Sequence, residues 1–73
     1  MKKFEVIHQQ PNGECSSVFF NDPEKALDHA NEILKTVKRE AAFGYVSVSE
    51  VQIVDGEIVE SAILLAQVYG GGF

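Results

Sequence analysis

The stretch that decides the fold is YVSVSEVQIVDGEIVESAILLAQVY, residues 45–69. Two apolar-rich runs flank Asp55-Gly56, which is the strongest short signal for a two-residue β-hairpin turn. Residues 45–54 and 57–69 are therefore predicted to form one long hairpin at the C-terminal end of the domain.

The third strand, within 45–54, has a break in its alternation. Val46 and Val48 lie on one parity, whereas Val51 and Ile53 lie on the other. One extra residue near Ser49-Glu50, a β-bulge, would bring all four onto one face, and a strand break at that point is the alternative. That face would be shared with Ile58, Ala62, Leu64, Ala66 and Val68.

The fourth strand, within 57–69, is apolar on both of its faces at Ile63, Leu64 and Leu65. A strand with this pattern is usually covered on both sides, and one helix covers only one face of a sheet. The other face would be too apolar to remain in contact with water. We therefore expect a homodimer interface formed by Ile7, Phe19, Tyr45, Ile63, Leu65 and Tyr69.

An earlier hairpin is predicted on either side of Pro11-Asn12-Gly13. Residues 3–10 alternate as a strand does, and proline, asparagine and glycine in this order suit a type I turn closed by a left-handed glycine. A three-residue loop places Val6 beside Val18 on one face of the hairpin.

A helix is predicted after this hairpin. Asp22 can cap the free amide groups, Pro23 fits the first helical position, and Gly44 is a suitable stop. Lys35, Lys38 and Arg39 lie near its end, where cations are favoured. One apolar stripe follows from Ala26, Leu27, Ala30, Ile33, Leu34, Val37 and Ala41.

These elements predict an α+β fold of the order β-β-α-β-β, a four-stranded, mainly antiparallel sheet with one helix packed on one face. Residues 1–69 would form a single domain, and residues 70–73 a flexible, glycine-rich tail. A chain of 73 residues buries a small fraction of its surface, so its stability is marginal. Since it has one cysteine and no metal-ligand spacing, the remaining routes to stability are oligomerisation and very efficient packing, of which oligomerisation is favoured.

The single cysteine is typical of a reducing compartment, and we expect a cytoplasmic protein. The N-terminal apolar run is interrupted at Glu5 and His8, so no secretory signal is expected. The longest apolar run, residues 62–66, is too short to span a bilayer, and no membrane association is expected.

The net charge of −5 lies entirely in the second half of the chain, because residues 40–73 contain five acids and no lysine or arginine. This sign repels phosphate, so direct nucleic-acid binding is not expected. The favoured explanation is solubility, and an acidic inhibitor that mimics nucleic acid is the alternative. A possible acidic contact patch consists of Glu50, Asp55, Glu57 and Glu60.

No residue pattern predicts catalysis, a cofactor or a metal. Cys15 and His8 are predicted to project from opposite faces of the first hairpin, so His8 would not activate the thiol. Cys15 is expected to be a semi-buried apolar residue. His8 lies opposite Ser16, but no orienting acid or oxyanion hole is apparent. We expect no enzymatic activity.

Residues 63–71, Ile-Leu-Leu-Ala-Gln-Val-Tyr-Gly-Gly, resemble the C-terminal strand and diglycine of the ubiquitin-like sulfur carriers of the thiamine and molybdopterin pathways. The resemblance implies a hairpin–helix β-grasp fold and a terminal glycine that a partner enzyme adenylates and thiolates. It also implies that Phe73 is removed and that Gly71 and Gly72 form the reactive tail. The Asp55-Gly56 hairpin runs directly into the last strand, without the excursion that this family has there.

Taken together, the sequence predicts a small non-enzymatic protein-interaction or regulatory module that self-associates. The module would also be able to bind another protein. The sulfur carrier and the acidic inhibitor are the two alternatives.

Overall fold

The computed structural model describes residues 1–37 and 43–70. In these ranges the chain forms one sheet with the strand order β2-β1-β3-β4, in which all neighbouring strands are antiparallel, and one helix. The predicted α+β fold and its β-β-α-β-β order are confirmed. The elements are β1 Lys2–Gln9, β2 Cys15–Phe20, α1 Pro23–Val37, β3 Gly44–Val54 and β4 Glu57–Tyr69.

The first hairpin has the predicted register, with Val6 opposite Val18. The Gln10 amide donates to the Glu14 carbonyl at 2.7 Å, and the Gly13 amide donates to the Gln10 carbonyl at 3.0 Å. Gly13 has a φ of 93°, the left-handed conformation that this three-residue loop requires.

Helix α1 starts as predicted. The Asp22 carboxylate accepts a hydrogen bond from the Glu24 amide at 3.1 Å, and Pro23 is the first helical residue. The expectation that Gly44 stops the helix is corrected, because Gly44 is the first residue of β3. Three residues of the predicted helix end, Lys38, Arg39 and Ala41, lie outside the described ranges.

The second hairpin also has the predicted turn. Asp55 and Gly56 have φ values of 52° and 80°, as a type I′ turn requires at both central positions. Val54 lies opposite Glu57 in the β3–β4 ladder. Within the described residues, no helix is long and apolar enough to cross a membrane.

The core lies between α1 and one face of the sheet. The two alanines Ala26 and Ala30 are fully buried, which lets the helix approach the central strands closely. Leu27, Ile33, Leu34 and Val37 are partly buried against this core, as the predicted apolar stripe requires. The buried residues of the core are Phe4, Val6, Ala26, Ala30, Val46, Val48 and Tyr69.

The predicted bulge in β3 is wrong, because the irregularities lie in β4. Val48 lies opposite Leu65 and Ser49 lies opposite Ile63, which leaves Leu64 as an extra residue in β4. Strand β4 is an edge strand, and it can bend around an extra residue because only one neighbour constrains it.

A second register shift has the same origin. Gln52 lies opposite Glu60 and Ile53 lies opposite Ile58, so Val59 is the second extra residue of β4. Strand β3 itself keeps its alternation. The expectation that Val51 and Ile53 share a face with Val46 and Val48 is therefore corrected: the two pairs lie on opposite faces.

The shift at Leu64 also reverses the predicted faces of β4. Leu65 packs against the core beneath α1, and Tyr69, 6% exposed, belongs to that core. Both were expected on the uncovered face. Conversely, Leu64, Ala66 and Val68 were expected beneath the helix and lie on the uncovered side instead. Ile58 also lies there, but for another reason: it pairs with Ile53, which the regular alternation of β3 places on that side.

Candidate interaction face

The sheet face opposite α1 has no second layer in the described part of the chain. We call it the open face. Strand alternation and register assign to it the odd-numbered residues of β1, β2 and β3. In β4 it consists of Ile58, Ser61, Ile63, Leu64, Ala66 and Val68.

Large apolar side chains project from both edges of the open face. On β4, Ile63 is 68% exposed and Val68 is 56% exposed, and Leu64 and Ile58 are also exposed. On β2, at the other edge, Phe19 is 46% exposed. Single exposed apolar residues are ordinary, but several on one face of one sheet form a patch of the kind that marks an interaction site.

Charge is nearly absent from the open face. Among its strand residues only Lys3 and Glu5 belong to the acidic and basic residue types Asp, Glu, Lys, Arg and His, and both lie on β1. The ammonium group of Lys3 donates to the side-chain oxygen of Asn21, beside the end of β2. The half formed by β3 and β4 has no Asp, Glu, Lys, Arg or His, and such depletion of charged residues is found at the centres of protein interfaces.

The relief of the open face is uneven. Ser47 is only 4% exposed, although the described chain places no layer above it. It lies between Ile7 of β1 and Ala66 of β4, and its own side chain is short. The floor at β3 is therefore recessed, while the residues at the edges project.

The structure brings together four of the six predicted interface residues. Phe19 and Ile63 are exposed on the open face, and Ile7 and Tyr45 are half-buried on it. Leu65 and Tyr69 lie on the helix side. The exposed residues that the sequence analysis missed are Ile58, Leu64 and Val68. They were expected beneath the helix together with Ala62, and of this group only Ala62 lies there.

The four acids of the predicted contact patch do not form one cluster. Glu50 and Glu60 lie on the helix side of the sheet, beside Lys2, in a shallow depression. The Lys2 ammonium lies 3.6 Å from a Glu50 carboxylate oxygen. Because both partners are solvent-exposed, this ion pair adds little stability. Asp55 and Glu57 are exposed at the hairpin turn.

The histidines have structural surroundings. His8 Nε2 lies 2.8 Å from the Tyr69 hydroxyl oxygen, which ties β1 to the end of β4. The His29 ring packs against Phe20 with centroids 5.4 Å apart. Cys15 is exposed rather than semi-buried, because it lies on the short edge strand β2. Among the described residues, no three His, Cys, Asp or Glu side chains are grouped as a metal site requires.

The described chain ends at Gly70, beside a groove between α1 and β4. Leu34 and Gln67 line the groove from its two sides, and Asp28 and Lys35 lie along the helix. Gly71, Gly72 and Phe73 lie outside the described residues. The sulfur-carrier alternative stays a prediction, and the intact mass of the protein from its native host would test it.

The open face is thus the feature with the clearest chemical character: apolar, nearly uncharged and without a cover. Comparison of the chain with protein-family models, curated proteins and solved structures found no match.

Proposed function

We propose that the protein is a non-enzymatic interaction module that self-associates through its open face. The observation that carries the proposal is the unequal covering of the sheet. Helix α1 covers one face, and the other exposes Phe19, Ile63 and Val68. Burying such side chains contributes about 25 cal/mol for each Å² removed from water.

The size of the face fits a protein partner. The longer extents of the molecule are 43 and 23 Å. These extents bound any one face at roughly 1,000 Å², and a standard interface buries about 800 Å² per partner. A second copy therefore has enough surface to contact.

The edges of the sheet are less suited to association than its face. Strand β2 is only six residues long. Strand β4 is long, but the extra residues Leu64 and Val59 disturb its ladder. Short or bulged edge strands resist the addition of a further strand. Association face to face is thus favoured over pairing edge to edge.

Self-association would also add stability to a chain whose own core is small. A single core of this size gives only a few kcal/mol of stability. In the described residues that core has seven buried members, five from the sheet and two from the helix. Because the dimer forms only from folded chains, its formation stabilises the fold by mass action.

The solution mass of the wild type and of Ile63→Lys tests the proposal. We expect the wild type to have twice the 8.0 kDa mass of the chain at micromolar concentration. The variant should be monomeric, because a lysine at this position places an unpaired charge within the apolar contact. The melting temperature of the wild type should rise with protein concentration, and that of the variant should not.

Ala62→Lys is the matched control. Ala62 is the preceding residue of β4 and lies on the other side of the sheet, beside Glu50 and Glu60. Lysine there changes the net charge equally but leaves the open face intact, so the dimer should persist. A wild type that is monomeric at millimolar concentration would contradict the proposal. Leu65→Lys is unsuitable as a probe, since Leu65 packs against the core.

A further inference from the structure

We infer that two copies interlock on the open face, with a projecting pair of side chains from each copy seated in a recess of the other. The projecting pair, which we call the knob, is Ile63 and Leu64. The recess, which we call the trough, is formed by Ser47, Ser49 and Ala66. This inference rests on the proposed self-association and specifies how the two copies fit together.

The knob arises from the register shift in β4. Pairing with Ser49 assigns Ile63 to the open face, and alternation from Ala66 assigns Leu64 to the same face. Two successive large side chains thus project on one side, which an unbulged strand does not allow. Ile63 is 68% exposed, and Leu64 is nearly half exposed.

The trough lies directly beside the knob. Ser47 lies opposite Ala66, and Ser49 lies opposite Ile63. All three trough residues have small side chains, so the surface is lower here than at Ile63 and Leu64. Ser47 is already almost fully buried, so a partner that covers the trough removes little further water from it.

Such a surface is complementary to itself. In a two-fold dimer each contact occurs twice, so a knob that enters the partner's trough implies that the partner's knob enters the first trough. Knob and trough lie side by side on one face, and a two-fold axis passing between them would exchange the two. Side chains of packed sheets interdigitate in this way.

The occupant is a second copy rather than a charged ligand. The strand residues β3 and β4 contribute to this face include no Asp, Glu, Lys, Arg or His. Knob and trough themselves therefore offer no positive charge to a phosphate, and the one carboxylate next to them is Glu5 of β1, which pairs with Ser49. Small uncharged side chains suit an apolar projection, and the chain itself carries one at Ile63 and Leu64.

Filling the trough distinguishes interlocking from general apolar contact. Ala66→Leu and Ser49→Leu both make the open face more apolar, so association through undirected apolar contact would become tighter. If the knob occupies the trough, both variants should instead raise the dimer dissociation constant at least tenfold in sedimentation equilibrium. Gln67→Leu, the neighbouring residue on the helix side of β4, is the matched control and should leave the dissociation constant unchanged.

The outcomes separate the two proposals. A wild type that remains monomeric overturns the proposed function and the interlocking together. A dimeric wild type whose filled-trough variants associate as tightly as before, or more tightly, overturns only the interlocking.

Cross-linking gives a second readout if a filled-trough variant fails to fold. Chains carrying I63C and chains carrying S49C, each with Cys15→Ser, are mixed and oxidised gently. Because a disulfide needs Cα atoms within about 7 Å, knob-in-trough packing predicts disulfides mainly between the two kinds of chain. Equal or greater yields of disulfides between two I63C chains would place knob against knob and overturn the inference.

Discussion

At the scale of single residues, Gly44 and Tyr69 depend on each other. They lie opposite one another at the end of the β3–β4 ladder. Gly44 is buried, and a Cβ atom on it would collide with the ring of Tyr69. The absence of a side chain at Gly44 is what lets this ring enter the core and reach His8.

Gly44→Ala is therefore expected to lower the free energy of unfolding by about 1–3 kcal/mol, the usual cost of overpacking a well-filled site. Gly44 has no positive φ, so the cost comes from the ring and not from backbone strain. Urea unfolding at a fixed protein concentration measures it. In a Tyr69→Leu background the same substitution should cost less. Equal costs in both backgrounds would contradict the close contact.

At the scale of elements, the local signals were sufficient for α1 and for both turns. The helix starts where an acidic cap precedes a proline, and the turns form where glycine supplies a left-handed φ. Each of these features depends on a few neighbouring residues. Their position in the sheet plays no part, which is why sequence patterns predicted them.

The cap of α1 is open to test by Asp22→Ala. Loss of the hydrogen bond to the Glu24 amide should lower the free energy of unfolding by about 0.5–2 kcal/mol. Asp22→Ser retains an oxygen acceptor and serves as the control in the same urea titration. If both variants lose equal stability, the side-chain cap is not the reason that the helix begins at Pro23.

In strand β4, local sequence signals do not predict the positions of the extra residues. Its sequence is compatible with several bulge positions, and the two register shifts reveal that Leu64 and Val59 are the extra residues. The choice depends on its neighbour β3, whose two apolar pairs face opposite ways. An edge strand adapts to a central one because the central strand is constrained from both sides.

At the scale of the whole molecule, charge and apolar surface are segregated. The acids of the second hairpin lie on the helix side or at the turn. Among the described strand residues, the open face has one carboxylate, that of Glu5. Glu5 lies in one cross-strand row with Phe19, Ser49 and Ile63. Face-to-face association would remove water from this carboxylate.

Glu5→Gln is therefore expected to tighten the proposed dimer. Each dimer contains two copies of Glu5, and at about 1 kcal/mol for each desolvated group the dissociation constant should fall by roughly tenfold to thirtyfold. Glu32→Gln is the control for charge repulsion between copies, because it changes the net charge by the same amount. The Glu32 side chain is exposed on α1 and forms only a weak ion pair with Lys35. Equal effects of the two variants would show that Glu5 stays in water.

Part of the candidate site was predictable from the sequence. An apolar surplus in the last strand indicated an uncovered face, and Phe19 and Ile63 were assigned to it as the structure has them. Leu65 and Tyr69 were also assigned to it, and wrongly, because one inserted residue at Leu64 exchanges the faces of everything beyond it. No pattern within β4 alone marks that insertion.

The sequence by itself determined which segments become strands and helix, both turn types and the register of the first hairpin, because these follow from neighbouring residues and from the period of each element. Only the tertiary structure decided the strand order, the bulges of β4 and therefore which side chains meet the helix and which meet water. The physical reason is that alternation fixes which residues share a face, whereas the face itself is chosen by pairing with residues distant in the chain.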